Sequence, residues 1–297
     1  MKFKSLCTLL LLSSVSSLLS AHHKIVYLIS TPRSLSTLFL RAMHARGDMS
    51  IFNEPSIPVW YGPNKAWYGT LNGIEVEQWY RPGFPKTCKE VVDRLLAEAE
   101  VRSVFAKEMS YMVKALIKED DRLLNDHNVV FAILLRNPHH SIISFYKKWG
   151  GIVESFDAII GYKECYELYQ HIKQQTGQAP CIVITEEFYM NPAEAMKSFC
   201  EQVGIPFLPD ALQWQSLGKA FDGVQEWHEA KIYERTHYWH GDAIMSTGVS
   251  KPHQYEVDSC GNPTFSEIEK PEDRERCKQV YEQNMYYYKL ILQSIDK

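Results

Sequence analysis

Two short stretches carry residues whose types and spacing can do chemistry. In "YLISTPRSLSTLFLRAM" (27–43) an apolar run breaks at Thr31-Pro32-Arg33-Ser34 and resumes with helical spacing. A strand-to-helix turn of this kind aims backbone amides at an anion, and Ser34, Ser36 and Thr37 add hydroxyls while Arg33 adds a fixed charge. In "LLRNPHHSIISFYKKW" (134–149) Arg136 ends an apolar run, and Ser144 stands eight residues later, two turns along a helix that Asn137 and Pro138 begin. Both side chains can reach one compact dianion beside that helix. The second stretch alone is an ordinary helix start, whereas the first alone already favours an anion nest over a plain capped turn. Together they favour an anion site over two unrelated capped elements.

Two carboxylates are placed to act as bases. Glu54 stands 21 positions after Arg33, and Glu108 sits beside Lys107 at the end of another apolar run. A glutamate before proline is more often a solvated turn residue, so residue type alone does not single out Glu54. The histidines (the pairs 22–23 and 139–140, then His228, His237 and His240) lack the convergent spacing of a metal site, and no metal is expected.

The elements that must hold these residues are legible as alternating patterns. "KIVYLIS" (24–30), "VRSVFAK" (101–107), "VVFAILL" (129–135) and "CIVIT" (181–185) are β-rich and nearly continuous in apolar character, as strands covered on both faces must be. Helices between them are announced by caps: Thr87-x-x-Glu90, Asn137-Pro138, and Asn191-Pro192-x-Glu194 with Gly204 as the stop. This is an α/β chain with a central parallel sheet flanked by helices, in which ligands sit beyond the carboxyl ends of the strands. Segment 55–86 is rich in aromatics and turn formers (Trp60, Tyr61, Trp67, Tyr68, Trp79, Tyr80) and suits a loop or lid. The tail from Pro271 has the spacing of a closing helix packed on the sheet.

The 297 residues, 45% hydrophobic, suffice for one large core, and residues 22–297 are expected to form a single domain. A net charge of −4 offers no global basic field, so nucleic acid is not an expected partner and any anion site is local. Residues 1–21 have the basic start, short apolar run and small-residue end of a signal peptide, and the run is too short for a stable membrane span. Export is the natural reading, with a cytoplasmic location as the alternative. Cys260 and Cys277 bracket a loop and are candidates to pair in an oxidising compartment. Cys165, Cys181 and Cys200 read as buried thiols.

At this point "TPRSLST" with Arg136, Pro138 and Ser144 resembles the two signature elements of sulfotransferases that use 3′-phosphoadenosine 5′-phosphosulfate: the 5′-phosphosulfate loop, normally P-[RK]-S-G-[ST]-T, and the 3′-phosphate element R-x-P-x₅-S. Leu35 stands where the family has glycine, a replacement that a negative φ would accommodate. "NEPSIPVWYGP" (53–63) resembles the segment that carries the catalytic glutamate in tyrosylprotein and other Golgi-type sulfotransferases. "FAKEMSYMV", "EEFYMNPAEAMKSFCEQVGIPFLPDALQW" and "HYWHGDAIMSTGV" are similar to a bacterial and fungal sulfotransferase-like branch, so the likeness runs from about residue 24 to about residue 250.

The resemblance implies the sulfotransferase fold, a P-loop-NTPase-like sheet, and 3′-phosphoadenosine 5′-phosphosulfate as co-substrate. It assigns donor binding to Pro32, Arg33, Ser34, Leu35, Ser36, Thr37, Arg136 and Ser144. Glu54 becomes the base toward an acceptor hydroxyl, and Arg33 the stabiliser of the leaving phosphate. Lys107, Glu108 and His240 are secondary candidates, His240 through a C-terminal loop closing over the nucleotide. The acceptor stays open among a sugar, a phenol and a peptide tyrosine. Two other classes compete: a P-loop-like nucleotide kinase, although G-x-x-x-x-G-K-[ST] is missing, and a non-catalytic nucleotide-binding member of the fold.

Overall fold

The computed structural model describes residues 23–61, 85–149, 151–152, 156–218 and 233–295. The signal-like segment 1–21, most of the aromatic stretch after Tyr61, and His228 lie outside the described residues. Five parallel strands form one sheet: β1 (Ile25–Ser30), β2 (Ser50–Asn53), β3 (Val104–Met109), β4 (Val129–Leu135) and β5 (Cys181–Ile184), in the order β2-β3-β1-β4-β5. Four of them lie where the apolar runs place them. The edge strand β2 was not foreseen, because four residues, "SIFN", are too few to display a period.

Alternation along the strands divides the core in two. Ile25, Tyr27 and Ile29 of β1 face one layer, which also takes Ile133 of β4. Val26 and Leu28 face the other, with Ala132 and Leu134. The first face is covered by α3 (Cys88–Ala99), α4 (Ser110–Glu119), α6 (Pro138–Trp149) and α8 (Tyr162–Thr176); the second by α1 (Ser36–Ala45) and α10 (Pro192–Val203). Shorter helices fill the connections: α2 (Ile57–Tyr61), α5 (Arg122–Asn125), α7 (Phe156–Ile160) and α9 (Thr185–Met190). The chain ends in α11 (Tyr233–Met245) and α12 (Pro271–Leu292). Thus β1 hands over to a helix on one face while its neighbours β3 and β4 hand over to helices on the opposite face. A crevice opens where such connections diverge, at the carboxyl end of β1.

Local expectations are met unevenly. Thr87 caps α3 through its hydroxyl, which accepts the Glu90 amide at 3.2 Å, but the Glu90 carboxylate reaches back to the Lys86 amide (2.7 Å), one residue before the cap. Asn137 Oδ1 accepts the His139 amide at 3.0 Å, and Gly204 ends α10 at φ 67°. Asn191 makes no side-chain cap bond; the proline at the start of α10 removes one orphan donor instead. Segment 55–86 begins with the helical turn α2 rather than loop. The tail helix α12 packs chiefly on α6 and α8 and adds Cys277, Val280, Tyr288 and Ile291 to the first core layer. Cys260 is exposed and Cys277 is buried in α12; both are free thiols, which corrects the expected pairing. Cys165, Cys181 and Cys200 are buried free thiols.

Candidate active site

Register sets the level of every residue at the crevice. Ser30 is opposite Met109 of β3 and Leu134 of β4, Asn53 is opposite Lys107, and Leu135 is opposite Ile184. Residues 31–37, 54, 107–108, 136 and 185 therefore emerge along one edge.

The first turn is built around two left-handed residues, Arg33 (φ 61°) and Leu35 (φ 62°). The expected negative φ at Leu35 is overturned. The backbone keeps the conformation that glycine would adopt freely, and a leucine there costs roughly 1–2 kcal/mol. Donors behind the turn hold that shape. Ser34 Oγ donates to Thr31 O (2.7 Å), Arg136 Nη1 to Arg33 O (2.8 Å), Thr185 Oγ1 to Ser34 O (2.9 Å), and the Phe39 amide to Leu35 O (3.0 Å). With four carbonyls engaged by the protein, the negative ends of these peptide dipoles are kept off an incoming anion.

Pro32, Arg33, Leu35, Ser36, Thr37, Arg136 and Ser144 line one cavity of about 470 Å³ together with Glu54. Arg33 Nε donates to Ser144 Oγ at 3.1 Å and Arg33 Nη1 to Trp239 O in α11 at 3.1 Å. The two arginines and the serine thus converge, 111 residues of chain separating Arg33 from Ser144. Ser34 does not join them: its side chain is fully buried and spent on Thr31. His240 lines the cavity, but from helix α11 rather than a closing loop, with its Nδ1 3.0 Å from Thr37 Oγ1. His139 and His140 are not surface groups. They pack among Tyr255 and, for His139, Phe265 and Tyr281, where burial pulls the His140 imidazole down to about 4.

Cationic residues outnumber acidic ones on the cavity wall. Lys147 and Lys148, at the end of α6, join Arg33 and Arg136, against Glu54 and Asp242. Sequence reading passed over these lysines, although "KKW" stood in the quoted stretch. Burial first, and then the nearby Arg33 charge, push the Lys148 ammonium below its usual range. Tyr162 was also missed; its hydroxyl donates to Arg136 O (2.6 Å) and accepts from Ser141 Oγ (3.1 Å), and so fixes the backbone from which Arg136 projects.

The second turn follows β2. Glu54 has φ 51°, its amide donates to Lys107 O (2.6 Å), and its Oε1 accepts Lys107 Nζ at 2.6 Å in a pair shielded from solvent. Lys107 and Glu108, expected beside the donor or acceptor, are fully buried and do not line the cavity; they stand behind Glu54.

A family model described as "Sulfotransferase domain" matches residues 24–255. The chain belongs to the sulfotransferase family. Two Arabidopsis thaliana relatives, branched-chain-amino-acid aminotransferase-like proteins 2 and 1, are 25% and 24% identical over 78% and 79% of this chain. The chain spans only 37% and 38% of their lengths, so their names describe proteins of which this domain matches a part. Among solved structures, the sulfotransferase domain of an olefin synthase from Synechococcus PCC 7002 is 15% identical, with 89% of this chain and 96% of that chain covered and a TM-score of 0.47. A sulfotransferase domain from the curacin biosynthetic pathway is 16% identical, with coverages of 86% and 96% and a TM-score of 0.45. Among the described residues of this sulfotransferase domain, no helix is long and apolar enough to cross a membrane.

Proposed function

We propose that the protein transfers a sulfuryl group from 3′-phosphoadenosine 5′-phosphosulfate to an acceptor hydroxyl. The observation that carries this reading is the shared cavity: Arg33, Arg136, Ser144 and Glu54 all line it. The residues fit a donor with two anionic groups. Buried Arg136 keeps its Nε without a hydrogen-bond partner, and the adjacent turn has its carbonyls tied back. When bound, the donor supplies the activated sulfuryl group. Arg136 and Ser144 hold one phosphate, and Pro32–Thr37 cradle the other end. Arg33 stabilises the negative charge that builds on the leaving phosphate. Glu54 takes the proton of the acceptor hydroxyl, held toward the cavity by its turn.

Ile57, whose amide donates to Glu54 O at 3.1 Å, lines the cavity with Met109 and Tyr111, which supports a phenol or another apolar alcohol as acceptor. Thermal unfolding with added nucleotides tests the donor assignment. 3′,5′-ADP at a hundredfold excess over its Kd is expected to stabilise the fold by about 2.7 kcal/mol, with ATP and Mg²⁺ inactive and the effect lost in Arg136→Ala. Stabilisation by ATP–Mg²⁺ alone would favour a kinase, and an unchanged response in Arg136→Ala would remove that residue from the site.

A further inference from the structure

The mechanism above leaves a buried carboxyl unused. Glu108 is fully buried at the end of β3; its Oε2 accepts the Ser56 amide at 2.8 Å and its Oε1 accepts the Met109 amide at 3.1 Å. Ser56 belongs to the turn that presents Glu54. That turn has three ties to β3: the Glu54 amide on Lys107 O, the Glu54 carboxylate on Lys107 Nζ, and the Ser56 amide on Glu108. The first two would exist without Glu108. The third ends on a group whose charge is variable.

We propose that Glu108 is a positioning residue for the same reaction: through the Ser56 amide it holds the turn that presents Glu54, and its charge sets how strongly Glu54 competes for a proton against the pull of Lys107. The proposal rests on Glu54 being the base. An ammonium at 2.6 Å weakens a carboxylate as a proton acceptor, whereas a second anion close by strengthens it. Burial first, and the Glu54 charge second, push the Glu108 carboxyl up to about 7, against the opposing hydrogen bonds from Ser56 and Met109.

Among the described residues, the titratable groups around this pair include Tyr27 of β1, Cys88 of α3 beside it, and Lys107 of β3. Burial, with the Glu108 charge next, holds the Tyr27 phenol well above its ordinary range, and burial pushes the Cys88 thiol up to about 12, so both stay neutral. Glu108 therefore changes charge near neutral pH. Ionisation of Glu108 adds one negative charge beside the Lys107–Glu54 pair, and Glu54 then binds a proton more readily.

The test follows the Glu54 carboxyl by ¹³C NMR in the full chain, with Glu54→Gln for assignment, and measures turnover with 3′-phosphoadenosine 5′-phosphosulfate and 2-naphthol. In the unsubstituted protein the Glu54 resonance is expected to respond twice, the second time near pH 7 as Glu108 ionises. Glu108→Gln should erase that second response, move the Glu54 titration to lower pH, and cut kcat about tenfold while the donor KM changes less than about twofold. Should Glu108→Gln fail to fold, Glu108→Asp keeps the charge and shortens the reach to Ser56; it should retain both Glu54 responses and lose turnover. An identical Glu54 titration in the presence and absence of the Glu108 charge overturns the proposal alone. Full turnover in Glu54→Gln overturns the base assignment, and the proposal with it.

Discussion

The turns after β1 and β2 both hold non-glycine residues at positive φ, yet they are stabilised in opposite ways. The first, with Arg33 and Leu35, is held by neutral hydroxyls, an amide and one guanidinium that all end on backbone carbonyls. Its own charge, Arg33, is turned toward the cavity. The second, with Glu54, is held by the buried Lys107–Glu54 ion pair and the Glu108 carboxyl behind it. One turn presents its charge to the cavity, and the other carries its charges within. Substitutions in the first should therefore be felt in binding and transfer, and substitutions in the second should be felt in folding as well.

The largest effect is expected for Arg33→Ala, which removes the cation facing the leaving group. Transfer should fall by about 10² to 10³ with the unfolding midpoint nearly unchanged, as followed by turnover and circular dichroism. Loss of the fold in this variant would break the contrast between the turns. Next is Lys107→Met, which removes the ammonium 2.6 Å from the buried Glu54 carboxylate. Urea titration should register a loss of about 3 kcal/mol, and unaltered stability would mean that the ion pair adds nothing to the second turn.

A smaller change is expected for Ser144→Ala. It deletes one cavity hydroxyl and the acceptor of Arg33 Nε, so the affinity for 3′,5′-ADP by calorimetry should weaken by about 1 kcal/mol with stability retained. The smallest effect belongs to Leu35→Gly. Relief at φ 62° opposes the lost packing of a half-buried leucine and the freer unfolded chain. The net shift in the unfolding midpoint should stay within about 1 kcal/mol. A large loss would show that packing of the Leu35 side chain, not backbone geometry, governs the first turn.

The same contrast explains how much of the site could be read from the chain. The first turn is a contiguous segment: its proline, arginine and hydroxyls lie within Thr31–Thr37, and its helix follows at once, so residue order alone exposes it. The Arg136–Ser144 element is legible for the same reason, since a helical pitch fixes the reach of one residue to the other. The second turn is not local. Lys107 and Glu54 are 53 residues apart, and they meet because β2 joins the sheet edge in a register that places Asn53 against Lys107. Nothing in "NEP" or "AKE" reveals that register. Lys107 and Glu108 thus read as residues of the cavity, whereas the structure buries both behind Glu54.

By itself the sequence determined the α/β class, four of the strands, the starts of α1, α3, α6, α10 and α12, and the two segments that line the cavity, because each depends on period, caps or spacing within a few turns of chain. Tertiary structure alone decided the handedness of Leu35, the burial of Ser34, the docking of α11 through Trp239 and His240, and the placing of Glu108 behind Glu54. Those outcomes depend on which distant donor or charge arrives beside each group. Strand order and register set that, and both follow from the packing of the whole core.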